Sequence, residues 1–334
     1  MNRRDLMLMA GASALSLPLP ALGQTRAKQV LAFYYGWYGG PPRDKTWVHW
    51  QGVNTAAGTI ANAPHYPASG PYSSLDTATI ARHVAQAADN GITGLIASWW
   101  GREDRTNQQL TMLLKAATAR KLKVTAYIEQ ATSPDALVAD ILYIHQRHMH
   151  NAAWLRLNGK PVIFLFDRVL QTIGLDGWKA AQAKVEKAAP GAIVFAGTAN
   201  SLDEIIARKP LFDILHIYSL QFEASKHGDD DGWRQSFYEN WVKAQGGLKA
   251  TTATVMPGFD DSHLPDREKP VTMERGDGSP YARLWQAAIA ARPDWVLIVS
   301  FNEWHEGSEI EPSRQSGDRE LVMTRGLSKI FRAG

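Results

Sequence analysis

Eight short apolar, β-branched or aromatic runs alternate with longer helical stretches along this chain, and no other feature restricts its fold as much. The runs cover residues 30–35, 94–99, 123–129, 162–167, 192–197, 214–218, 252–256 and 295–301. Helical patterns lie near 76–90, 107–121, 133–149, 176–188, 202–209, 232–245 and 281–291, with a last one near 319–331. Within them apolar residues recur three and four apart, as at Leu137, Ile141 and Ile144, which is the spacing of one helix face. Pro134 suits a first helical turn, and Ser201 with Glu204 has capping-box spacing. Runs that are nearly continuously apolar are strands covered on both faces, as in a parallel sheet wound by helical crossovers. Eight such units need about 250 residues to close a barrel, and a chain of 334 supplies them with long loops to spare. The expected fold is therefore α/β, a single (β/α)8 TIM barrel. A doubly wound open sheet is the rival, but no G-x-G-x-x-G follows the first run.

Two connections are too long to be mere links: 36–75 after strand one and 257–280 after strand seven. Loops of that size in a compact domain are usually functional. Both leave the C-terminal face of the barrel, where such enzymes work.

The first 23 residues read as an export signal rather than as part of the barrel, which is expected over 24–334. A charged start with Arg3-Arg4 precedes an apolar stretch over 6–17, and Ala21-Leu22-Gly23 offers small residues at a cleavage site. The stretch is short and interrupted by Pro18 and Pro20, unlike a membrane span. Arg3-Arg4 gives it a twin-arginine character, and a chain without cysteine needs no disulfides in an oxidising compartment. The expected product is exported, periplasmic or secreted, with no membrane span. A net charge of +3 is too small to argue for nucleic acid.

The residues that end the runs would converge on one mouth: Tyr34-Tyr35, Trp99-Trp100, Glu129, Asp167, Tyr218 and Asn302-Glu303. Trp, at 12, outnumbers Tyr and Phe, at 10 each. Flat rings are what the C–H faces of sugars stack on, although core packing is the competing use. The strongest segment is Phe301-Asn-Glu-Trp-His-Glu-Gly307. Glycoside cleavage needs one group to protonate the leaving oxygen and another to act at the anomeric centre. Glu303 and Glu306, three apart after the last strand, project to one side if the chain makes a helical turn. The bland alternative is a solvated acidic loop that also contains Glu309 and Glu311. Glu129 stands either in the mouth or at the cap of the next helix. Asp167 either joins the mouth or pairs with Arg168 or another barrel residue. His145, His148 and His150 lack the i, i+4 pairing of a zinc helix and are expected on a solvated helix face. Neither metal nor cofactor is expected. A carbohydrate-binding or glycan-assembly protein is the competing class, but a binder has no need of both glutamates.

These residues resemble glycoside hydrolase family 99, the endo-α-mannosidases and bacterial endo-α-mannanases. The segments that carry the likeness are Phe33-Tyr-Tyr-Gly-Trp-Tyr-Gly39, Trp47-Val-His-Trp50, Gly70-Pro-Tyr-Ser-Ser-Leu-Asp76, Ser98-Trp-Trp100, Ile128-Glu129 and Ser300 to Gly307. The resemblance implies a metal-independent, retaining, endo-acting enzyme whose partner is a mannose-containing oligo- or polysaccharide. It further implies that Glu303 acts on the sugar 2-hydroxyl and that Glu306 is the general acid/base. Tyr35, Trp100, Glu129, Tyr218 and Asn302 would line the subsite of the cleaved sugar, with Tyr34 and Trp99 as the register alternatives to their neighbours. The likeness loosens before Tyr66-Pro67 and after Asp261, which leaves the roles of Arg267 and Arg275 open.

Overall fold

The computed structural model describes residues 27–228, 230–265 and 267–334. Among them, eight parallel strands form a nearly closed barrel: β1 Gln29–Tyr34, β2 Gly94–Trp99, β3 Lys123–Ile128, β4 Lys160–Leu165, β5 Val194–Thr198, β6 Ile214–His216, β7 Thr252–Val255 and β8 Trp295–Ile298. Their order around the ring is β6-β5-β4-β3-β2-β1-β8-β7, so the last strand lies between the seventh and the first. β8 meets β1 in the register Gln29↔Trp295 to Ala32↔Ile298, and meets β7 with Trp295 opposite Thr252. Between β6 and β7 the ladder shrinks to one bridge, Ile214 to Ala250. Threonines close the rest of that seam. Thr252 Oγ1 donates to the Leu215 carbonyl at 2.7 Å and Thr254 Oγ1 to the Ile217 carbonyl at 2.5 Å.

Helices α1 Thr77–Asp89, α2 Arg105–Ala119, α3 Pro134–Arg147, α4 Asp167–Ala188, α5 Leu202–Arg208, α6 Gln221–His227, α7 Asp231–Ala244, α8 Ser279–Ala290 and α9 Arg319–Ala333 pack around this ring. Asp76, Asp104, Ser133, Ser201 and Asp230 cap α1, α2, α3, α5 and α7 with their side chains, satisfying amides that the first helical turn leaves unpaired. The strands are buried nearly throughout, as the apolar runs require.

Several local expectations change. α4 starts at Asp167, well before the expected 176, and is broken at Gly174 (φ 70°, ψ 168°). The helix α6 and a two-stranded hairpin, Phe259–Asp260 with Thr272–Met273, were not expected, because each is too short to show a period. The tryptophan surplus mostly fills the core: Trp50, Trp99, Trp154, Trp178, Trp241, Trp285, Trp295 and Trp304 are buried. His148 is buried as well, with Nε2 3.1 Å from Asn107 Oδ1, so it does not stand on a solvated face. No helix among the described residues is long and apolar enough to cross a membrane. The export signal expected at 1–23 lies outside the described residues.

Candidate active site

The chain beyond β8 makes a loop zipped at its base. The Ser300 amide donates to the Ser308 carbonyl (2.7 Å), Glu311 N to Phe301 O (2.8 Å), and Phe301 N to Phe33 O of β1 (2.7 Å). Its tip, Trp304–Glu306, is a single 3-10 turn with Glu303 as N-cap. The turn ends at Gly307, in the left-handed region (φ 55°, ψ 26°), where an added Cβ would lie 2.8 Å from Pro64. Glycine therefore serves both the conformation and the close approach.

Glu303 is 2% exposed. Its Oε1 accepts from the His305 amide (3.2 Å) and lies 3.4 Å from the Tyr38 hydroxyl. Glu306 sits nearer the opening. Its Oε2 accepts from the Tyr218 hydroxyl at 3.0 Å, which in turn accepts from Tyr35 at 2.6 Å. Glu129 Oε1 accepts from Ser98 Oγ at 2.7 Å, and Ser98 accepts from Trp100 Nε1 at 2.9 Å. Glu129 is thus a mouth residue; Ser133, not Glu129, caps the helix that follows.

Loss of water shifts all three carboxyls toward the protonated form. Burial pushes Glu129 up to about 7. It does the same to Glu306, against the pull of the Tyr218 hydrogen bond and the Arg267 charge. Burial, the charge of Glu306 and that of Glu129 drive Glu303 well above the usual carboxylate range. The charge of Glu306 raises the proton affinity of Glu303, so double ionisation of the pair is disfavoured. A site that must deliver one proton and accept another is poised that way.

The remaining expected residues divide. Tyr218 reaches Glu306 and Tyr35 reaches Tyr218, and Trp100 lies beside Trp37 of the long loop after β1, with the Arg168 guanidinium 5.0 Å from its ring. Tyr34 and Trp99 point outward instead. Tyr34 OH is 3.0 Å from His83 Nδ1 behind the barrel, and Trp99 Nε1 donates to Asn107 of α2. Asn302 does not line the pocket either. It is fully buried and grips the Tyr35 backbone, accepting from its amide (2.7 Å) and donating to its carbonyl (2.9 Å). Asp167 pairs with Arg208 at 2.6 Å rather than with Arg168.

Sequence reasoning missed most of the supporting layer. Glu311, far from being solvated, accepts from Tyr72 OH (2.7 Å) and Trp304 Nε1 (3.2 Å) and meets His83 Nε2 at 2.9 Å. Glu309 is buried against His65 (2.9 Å) and Arg275 (3.0 Å). Arg275 also donates to the Gly307 and Glu309 carbonyls, each at 2.8 Å. The available signal was the family segment itself, whose aromatic and acidic residues outnumber what two catalytic groups require.

Two carboxylates at the tip of a rigid loop, one deep and one near the opening, are equipped to split an acetal by acid–base catalysis, and the protein is a glycoside hydrolase built on a (β/α)8 barrel. More specifically, the chain belongs to glycosyl hydrolase family 99, whose model matches residues 25–322. It is 26% identical over 341 residues to a glycoprotein endo-alpha-1,2-mannosidase-like protein of Homo sapiens, covering 88% of this chain and 70% of that one. With the glycoprotein endo-alpha-1,2-mannosidase of Rattus norvegicus it shares 26% identity over 321 residues, 84% of this chain and 67% of that one. The solved GH99 endo-alpha-mannosidase from Bacteroides thetaiotaomicron superposes with a TM-score of 0.76 at 27% identity, over 91% of this chain and 98% of that chain.

Proposed function

We propose that this protein is an exported, retaining, endo-acting α-mannosidase that cleaves internal bonds of a mannose-containing glycan through a 1,2-anhydro sugar. The observation that carries the reading is the unequal setting of the two glutamates. Among the described residues, the hydrogen bonds to the Glu303 carboxylate all fall on Oε1, which leaves Oε2 for substrate. Glu306 is held by Tyr218 beside the opening. In an α-mannoside the 2-hydroxyl is axial and opposite the leaving group. Glu303 takes its proton as the 2-oxygen closes on the anomeric carbon, and the leaving oxygen departs with the proton of Glu306. Water then opens the ring from the other side, giving its proton to Glu306 while the 2-oxygen recovers one from Glu303. Two inversions give net retention, and Glu303 never bonds to sugar. The relatives named above, endo-mannosidases by name, support the substrate class.

The test compares an α-mannoside with its 2-deoxy analogue at the cleaved residue. Loss of the electron-withdrawing oxygen speeds ordinary glycoside cleavage, yet here the analogue is expected to bind and turn over at least about 10²-fold more slowly, as when a general base is lost. Rapid turnover of the analogue, or a glycosylated peptide containing Glu303 found by mass spectrometry, would restore direct nucleophilic attack.

A further inference from the structure

His305 lies between the two glutamates in sequence, and its ring is wedged among Trp37, Tyr38 and Trp50 with ring centroids 5.9, 5.4 and 6.4 Å away. Its Nε2 is 2.7 Å from the carbonyl oxygen of His49. A carbonyl can only accept, so Nε2 carries a hydrogen. That carbonyl is itself fixed, because it also accepts from Asn62 Nδ2 at 2.9 Å. His49 is in the left-handed region (φ 63°) and stacks on Trp37 with centroids 4.8 Å apart. A non-glycine residue holds such a backbone only where its surroundings impose it. The other ring nitrogen, Nδ1, lies 3.4 Å from Glu303 Oε1.

Resting on the proposed role of Glu303 as base, we propose that His305 is a positioning residue that strengthens that base: with Nε2–H committed to the His49 carbonyl, the neutral ring turns a bare Nδ1 lone pair toward Glu303 Oε1. While Glu303 is ionised, the lone pair and the carboxylate oxygen repel. When Oε2 takes the substrate proton, negative charge drains from Oε1 and the repulsion falls. The ring therefore favours the state that proton abstraction creates, as removal of a proton from a weakly acidic sugar hydroxyl requires. The same ring clamps the long loop after β1 to the catalytic turn, so the tautomer is set by a loop that also walls the mouth. Burial holds the imidazole down to about 4, which keeps it neutral across the working range. The other titratable groups facing Glu303 are Glu306 in the same turn, Glu129 at the end of β3, Tyr35 and Tyr38 beyond β1, and Tyr218 beyond β6. None of them can supply this lone pair from a fixed tautomer.

Two measurements test the inference. In the native protein, ¹⁵N NMR of the His305 ring should report a protonated Nε2 and a bare Nδ1 from pH 5.5 to 8, a window on the order of the activity range of such acid–base enzymes. An imidazolium, or an Nδ1–H tautomer, would overturn the proposal. In ¹³C-carboxyl-labelled protein, the Glu303 titration, assigned by its loss in Glu303→Gln, should fall by about one pH unit or more in His305→Phe. His305→Gln, which can repeat an N–H toward His49 and a lone pair toward Glu303, should leave it close to the native value. A Glu303 titration unmoved in a folded His305→Phe would make the histidine a clamp only, and the proposal would fail. Neither readout depends on turnover. Failure of the anhydro-sugar route would appear in the 2-deoxy comparison, and failure of the His305 role here.

Discussion

At the scale of the residue, Glu129 shows what a sugar site costs its own protein. Its carboxyl is driven up to about 7 by burial, against 4.5 for a free glutamate. Between those two pH values the folded protein holds a proton that the unfolded chain has lost, so stability falls as pH rises through the window and stays reduced above it. Glu129→Gln keeps an acceptor for the Ser98 hydroxyl and removes the charge. It should stabilise the fold by up to about 3 kcal/mol at pH 8, at 1.36 kcal/mol per unit, and by nothing near pH 4, while turnover drops. Thermal unfolding of both proteins across pH checks the sign; a gain confined to acid pH would contradict it. That Glu303, Glu306 and Glu129 gather at one end of the barrel was legible, because the residues that follow parallel strands all leave the same face. Which of Tyr34 and Tyr35, or of Trp99 and Trp100, faces the mouth was not legible. Side chains alternate along a strand, and a shift of one residue exchanges inside for outside. The structural use of Asn302 was hidden too: a buried amide that grips a neighbouring backbone has the same letter as one that grips a sugar.

Among the elements, the loop 300–311 depends on partners brought from elsewhere. Arg275, on the long connection after β7, reaches the Gly307 and Glu309 carbonyls and the Glu309 and Glu320 carboxylates. Arg275→Met would leave Glu309 with His65 alone and Glu320 with Arg319 alone, a loss below the roughly 3–5 kcal/mol of a buried charge left with no partner, and free the carbonyl that ends the turn 304–306. Both the melting temperature and kcat should fall. Arg275→Lys should recover little, since one ammonium cannot serve four oxygens set in different directions. A lysine variant with native stability and rate would show that only the charge matters. The eight strands were legible as elements because each run is mostly apolar, β-branched or aromatic. The ends were less so: residue 167 reads as a strand end but opens α4, since a carboxylate suits a first helical turn as well as a barrel mouth. The buried contacts of Glu309 and Glu311 had no local signature, because their partners Arg275, His65 and His83 come from other loops and helices.

For the whole molecule, export and folding meet in one question. If the proposed leader is removed after Gly23, mass spectrometry of exported protein should show a chain beginning at Gln24. Replacing both Arg3 and Arg4 by lysine should leave uncleaved precursor inside the cell, while unimpaired export of that variant would exclude the twin-arginine route, which carries folded cargo. Asn302 joins Tyr35 across 267 positions of sequence, and β8 lies against β1. The pairing of the last strand with the first is therefore followed at once by the bond that fixes Tyr35 in the pocket, and contacts between residues so far apart in sequence are slow to form. A nascent or half-folded chain owns Tyr35 without Glu303, or Glu303 without the loop that surrounds it. The residues of the pocket therefore come together only once the last strand has docked against the first.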